Sequence, residues 1–186
     1  MQGAARLLRT LTTAESIVAA IAYVIVAALL IGDVLGREGP LAKGTWGAEF
    51  VSSLIGFEFH TKGIFGATKM AVFAAIVAGF IGLSLATAAN AHIRPAFMDF
   101  VFQGRAERGA NRVGDAFACV FFCAAGVFAI LFVMQSYEYK EKAAVIYWQL
   151  WPIQLVIPYA FFSTAIRHGV FAIWPGLKPN AEESVA

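Results

Sequence analysis

Four long stretches of this chain contain no Asp, Glu, Lys or Arg. They cover residues 16–32, 70–91, 116–137 and 143–166, lengths of 17, 22, 22 and 24 residues. At 1.5 Å per helical residue, each of the three longer runs covers a hydrocarbon core of about 30 Å. The first run is shorter and is expected to continue to about Leu35. In lipid every backbone amide must be paired within its own segment or a closed barrel. A barrel needs alternating strands of about ten residues, and no such alternation is present, so each run reads as a helix.

Composition removes the competing classes. Hydrophobic residues make up 60% of the chain and charged residues 14%, against about 45–50% and about 25% in soluble domains. The mean hydropathy is +0.71. A soluble core of this size cannot hide that much apolar surface, and a disordered chain would be polar and charge-rich. The formal net charge of +2 leaves no basic face of the kind nucleic acid requires. The two cysteines, Cys119 and Cys123, stand at i, i+4 in one apolar run. That spacing within one helix suits neither a disulfide nor, with no His nearby, a metal site. They read as small packing residues.

The expected architecture is therefore an all-α integral membrane protein with four transmembrane helices, at about 16–35, 70–91, 116–137 and 143–166. A fifth apolar stretch, 50–57, is too short to cross and lies between Glu49 and Glu58. It is expected to form an interfacial helix in the first loop, and residues 95–102 to lie flat in a similar way at the opposite side. One four-helix domain spans residues 1–175, and residues 176–186 are expected to be a short mobile tail. The first span reads as an uncleaved signal anchor, because the residues after it lack a small-x-small cleavage site.

An even number of spans puts both termini on one side. The N-terminus, second loop and C-terminus hold eight Lys and Arg, and the first and third loops hold six. The excess is concentrated in the short second loop (Arg94, Arg105, Arg108, Arg112), which places both termini in the cytoplasm by the positive-inside rule.

Ionisable groups within spans persist when they have a task, and the four runs contain none. No acid or base stands at mid-membrane to relay a proton, and no nucleophile–base pair or metal constellation suggests an enzyme. No metal or cofactor is expected. His92 ends the second span and His168 follows the fourth, on the same side of the membrane. A bis-His haem between them is the minor reading; beside Arg94 and Arg167 they read as headgroup-level residues.

Two spans carry partner signals. In the fourth, Tyr147, Trp151, Gln154 and Pro158 share a face on a 100° helical wheel. That face either meets another protein, with Gln154 hydrogen-bonding across, or packs within the bundle. Two prolines, Pro152 and Pro158, predict a kink. The second span holds small residues at close spacing, among them Gly79 and Gly82, which let helix backbones approach.

Several local runs carry a family likeness. Trp46-Gly47-Ala48-Glu49-Phe50 puts a Trp and a Glu in the first loop. Ala91-His92-Ile93-Arg94 closes a span rich in small residues. Ile157-Pro158 lies in an aromatic fourth span. The chain resembles the small permease subunit (DctQ-type) of TRAP transporters, the tripartite ATP-independent periplasmic transporters, over roughly residues 15–167. His92, Ile93 and Arg94 match the family's H-I-R-V-D run, with Pro95-Ala96 in place of its Val-Asp, and the first loop is longer than the family's.

The resemblance implies a non-catalytic small membrane subunit in the bacterial inner membrane, part of a static scaffold. Its partner would be a large multi-span permease subunit holding the substrate and Na+ sites and moving as an elevator. A periplasmic substrate-binding protein would deliver an organic anion. The alternatives are an accessory structural subunit of a respiratory or photosynthetic complex, and a haem-bearing membrane anchor.

Overall fold

The structure is a computed structural model and describes residues 2–38, 44–55, 64–90 and 105–179. Helix α1 runs Gln2–Glu38 and the short α2 Trp46–Ile55. Helix α3 runs Ala67–Ala88 and α4 Arg105–Glu138. The fourth long element is broken into α5, Trp151–Gln154, and α6, Val156–Ile173. A single 3-10 turn, Pro175–Leu177, follows. Four of these elements are long and apolar enough to cross a membrane. The expected all-α, four-span fold is thus present, with a helix in the first loop. The segment 95–102, expected to lie flat, is outside the described residues.

The helices pack in the order α1, α3, α6, α4, with α1 against α3, α6 against α4, and α3 against α6 in the middle. The two outer helices share one pattern. Along α1 the inward positions are Glu15, Ala19, Ala22, Val26, Leu29, Asp33 and Gly36. Along α4 they are Asp115, Cys119, Phe122, Gly126, Ala129, Val133 and Ser136. Both stripes alternate steps of four and three, the seam of a left-handed helix pair. Each stripe begins with an acid and is dominated by small residues, which is where close packing in lipid is gained.

At Gly126 the approach is tight: a Cβ there would come within 2.9 Å of the Phe162 ring on α6. The same ring series continues along this contact, with Phe161 edge-on to Phe80 of α3 at 6.0 Å and tilted against Phe122 at 6.2 Å.

The fourth span differs from its expected position. The charge-free run begins at residue 143, yet the helix begins at Trp151 and continues to Ile173. Residues 141–150 instead form a tight hairpin. Lys142 and Gln149 form a bridge, Ala143 N–H donates to the Trp148 carbonyl at 2.8 Å, and Leu150 N–H donates to the Glu141 carbonyl at 3.1 Å. Proline explains both the late start and the break. Pro152 lies in the first turn of α5 and has no N–H to extend the helix backward. Pro158 lies in the first turn of α6 and cannot donate to the carbonyl of Gln154, so the helix is interrupted at Leu155.

The hairpin uses positive φ at Val145 (81°) and Tyr147 (55°). Its Ile146 seats against Gly66, whose φ of 76° and lack of a side chain admit it: a Cβ there would meet Ile146 at 2.5 Å.

Two residues of the expected tail, Lys178 and Pro179, contact the bundle. The Lys178 ammonium donates to both Asp115 oxygens at 2.9 and 2.8 Å, and the Asn90 side-chain amide donates to the Pro179 carbonyl at 3.1 Å. Residues 180–186 lie outside the described residues.

Candidate functional site: a buried ionic cluster at one end of the bundle

The N-terminal part of α1, the C-terminal ends of α3 and α6, and the N-terminal part of α4 meet at one end of the bundle. There α1 contributes Glu15, α3 contributes Ser84, and α6 contributes Tyr159, Ser163 and Arg167. Glu15 is 2% exposed and Arg167 0%. Arg167 Nη2 lies 2.7 Å from Glu15 Oε2 and donates also to Thr12 Oγ1 at 3.3 Å. Its Nη1 donates to the hydroxyls of Ser84 and Ser163.

The carboxylate is saturated from several helices. Ser84 Oγ lies 3.1 and 3.0 Å from its two oxygens, Ser163 Oγ donates to Oε1, and Tyr159 Oη donates to Oε1 at 3.1 Å. The charges of Glu15 and Arg167 cancel locally, and the hydroxyls satisfy what the ion pair leaves over. Bringing two opposite charges out of water is tolerable only with such extra hydrogen bonds.

A second pairing stands beside the first. His168 Nδ1 lies 3.0 Å from Asp115 Oδ1, and its ring stacks on Phe122 at 5.8 Å with 6° between planes. Lys178 completes this group through the same carboxylate and lies 5.9 Å over the Phe171 ring. Adjacent residues of α6 therefore reach opposite outer helices: Arg167 takes the leading acid of the α1 stripe and His168 that of the α4 stripe.

Charged side chains are thus buried inside the bundle, just beyond the charge-free runs. The helices are longer than the charge-free runs, and Glu15, Asp115, Arg167 and His168 all lie within them, buried. Glu15 stands one residue before the first run, Asp115 one before the third, and Arg167 one after the fourth, so marking runs by their charges excluded all three by construction. A usable signal was present. Glu15 sits on the small-residue stripe with Ala19 and Ala22, and Arg167 follows Ser163 by one helical turn.

The residues singled out in the sequence are scattered. Tyr147 is in the hairpin, off the helix and 75% exposed, so it does not share a helix face with the other three. The Trp151 indole N–H donates to Gln149 Oε1 at 2.7 Å and its ring meets Tyr137 edge-on at 5.6 Å. Gln154 is half-buried and its Oε1 has no partner. Pro158 is buried within α6.

Gly79 is exposed and Gly82 half-buried, and a Cβ at either would meet nothing within 4 Å. Trp46 opens α2 and is 78% exposed, and Glu49 is exposed in its first turn. His92, Ile93 and Arg94 lie outside the described residues, as does His60. Among the described residues no three His, Cys, Asp or Glu side chains gather as metal ligands.

Chemically, the cluster offers neither an open carboxylate nor a free base. The carboxylate of Glu15 is covered by four donors, from Ser84, Tyr159, Ser163 and Arg167. What the arrangement does is join α1, α3 and α6 at one level of the bundle.

No curated protein and no solved structure matches the chain. The family model described as tripartite ATP-independent periplasmic transporters, DctQ component, matches residues 26–174. That match covers α6 with Arg167 and begins after Glu15. The family is the small membrane component of these transporters and works with a large permease and a binding protein. With four membrane-spanning helices and a match over most of its length, the chain belongs to the DctQ component family of the TRAP transporters.

Proposed function

We propose that this chain is the static scaffold of its transporter, a non-catalytic subunit that braces a large permease during Na+-coupled, binding-protein-dependent uptake of organic anions. One observation carries the reading: the buried acids Glu15 and Asp115 at one end of the bundle are each paired with a residue of α6, Arg167 and His168. Charges that serve a moving solute must be free to exchange partners. Here they are consumed in tying α1, α3, α4 and α6 together, and the substrate and Na+ sites belong to the partner.

The surface suits that role. Gly79 and Gly82 leave open space on α3, a place where a partner helix can approach closely. Trp151 and Gln154 stand at the other end. Tyr147 adds an exposed aromatic in the hairpin beside them. The chain sits in the bacterial inner membrane with both termini in the cytoplasm, as the excess of Lys and Arg on that side favours.

The test is coexpression of the tagged chain with the large permease encoded beside it, purification in mild detergent, and reconstitution with the binding protein. A stable complex whose uptake of an organic anion requires Na+ and this chain is expected. Recovery of the chain without a multi-span partner, or uptake unchanged when it is omitted, would sink the reading.

A further inference from the structure

Helix α6 ends at Ile173, and the chain then passes through Trp174 and the 3-10 turn Pro175–Leu177. Two consecutive residues beyond the turn reach opposite neighbours of α6. The Lys178 ammonium donates to both carboxylate oxygens of Asp115 on α4. The Pro179 carbonyl accepts from the side-chain amide of Asn90, just past the end of α3. These two helices do not pack side by side: α6 lies between them.

The surroundings of the segment agree with that crossing. Lysine side chains are mostly exposed, yet that of Lys178 is only 17% exposed. It lies over the Phe171 ring of α6 and shares Asp115 with His168. Leu177 and Pro179 wall one cleft together with Leu8 and Thr12 of α1 and Ala88 of α3. The segment is therefore seated on α6 and α4 through Lys178 and faces α1 and α3 through Leu177 and Pro179.

The four long helices form two pairs, α1 with α3 and α6 with α4, joined along α3 and α6. Apolar packing along that seam is non-directional, so the angle between the pairs is set by polar links. Inside the bundle such links gather around Ser84, with Ser163, Arg167 and Glu15. Links at one level act as a pivot. Asn90 lies about 9 Å farther along the direction of α3 by the helical rise, and a second tie at that distance resists turning about the first.

We propose that residues 174–179 are a clasp that fixes the α4–α6 pair against the α1–α3 pair. Lys178 anchors the clasp to its own pair at Asp115, and Pro179 carries it across to Asn90. The two links act in series. Breaking either one opens the clasp, and breaking the second as well adds nothing. The proposal goes beyond the scaffold role and stands independently of it.

The experiment uses the full chain in detergent with Cys119 and Cys123 replaced by Ala. Spin labels are placed at Leu7→Cys on α1 and Val113→Cys on α4, both exposed positions near this end. Double electron–electron resonance reads the distribution of distances between them. Asn90→Gly removes the amide and suits the φ of 51° at that position. Lys178→Met removes the ammonium and keeps an apolar stem over Phe171. Lys142→Met, at an exposed lysine of the hairpin, is the control.

A single narrow distribution is expected in the parent and in Lys142→Met. Broadening of equal size is expected in Asn90→Gly, in Lys178→Met and in the double variant, and truncation after Ile173 should match them. An unchanged distribution in the double variant overturns the proposal. So do effects that add up in the double variant, which would mark two unrelated contacts. All these variants keep the Glu15–Arg167 pair, so broadening accompanied by a loss of helical circular dichroism also counts against the clasp.

Discussion

Glu15, in the first helix, and Arg167, in the last, form an ion pair of 2.7 Å with their side chains 1% and 0% exposed. The two residues are separated by nearly the whole chain, and the pair closes the bundle across α1 and α6. Ser84 of α3 bonds to both members, so three helices converge on one neutral unit.

Removing one member leaves the other charged and buried. Glu15→Gln or Arg167→Met is expected to destabilise the chain by about 3–5 kcal/mol. The double variant is expected to cost less than the sum, because both charges are then gone. Thermal melting of the four proteins in the same detergent measures the coupling. Strictly additive losses would show that the pair does not act as a unit.

The tail depends on Asp115. Asp115→Asn weakens its bonds to both His168 and Lys178, so the 3-10 turn at Pro175–Leu177 is expected to loosen. Hydrogen exchange of residues 174–179 should rise in this variant, with a stability loss of about 1–3 kcal/mol. Lys178→Met should loosen the same segment while leaving α4 and α6 docked through His168. Unchanged exchange in both would mean that the Asn90–Pro179 bond alone holds the tail.

The α4–α6 contact requires a hydrogen at position 126. Gly126→Ala puts a methyl group against the Phe162 ring and is expected to cost about 1–3 kcal/mol. Phe162→Leu in the same chain should restore part of that loss by making room. Absence of any rescue would argue that the cost arises elsewhere in α4.

Strain in the hairpin is separable from packing. Val145 is β-branched, 43% exposed, and held at φ 81°, a conformation that glycine adopts without penalty. Val145→Gly is expected to raise stability by up to about 1 kcal/mol, read as a higher melting temperature. A lower one would show that the valine side chain contributes more than its backbone costs.

The open face of α3 tests assembly apart from folding. Gly79→Ala and Gly82→Ala each place a Cβ in open space in the isolated chain, so melting should change little. Copurification of the large permease should fall if a partner helix approaches there. Intact copurification with both variants would move the interface to another face.

The number of helices and their approximate places were legible because hydropathy is a property of composition over a window, and lipid demands helices of a given length. The inward stripes of α1 and α4 were also legible in principle, since their alternating steps of four and three are written in Ala, Gly and the leading acids. The start of the fourth helix was not legible from charge alone: residues 143–150 are free of Asp, Glu, Lys and Arg yet form a hairpin, because Pro152 sets where the helix can begin. Glu15, Asp115 and Arg167 were hidden for a different reason. A charge beside an apolar run looks the same in sequence whether it faces water or another helix. By itself the sequence determined that the chain crosses a membrane as a bundle of helices, because apolar length and backbone hydrogen bonding leave no other state. Only the tertiary structure decided which charges are interior. Burial of an ion depends on a partner of opposite sign, and here that partner lies on a helix at the other end of the chain.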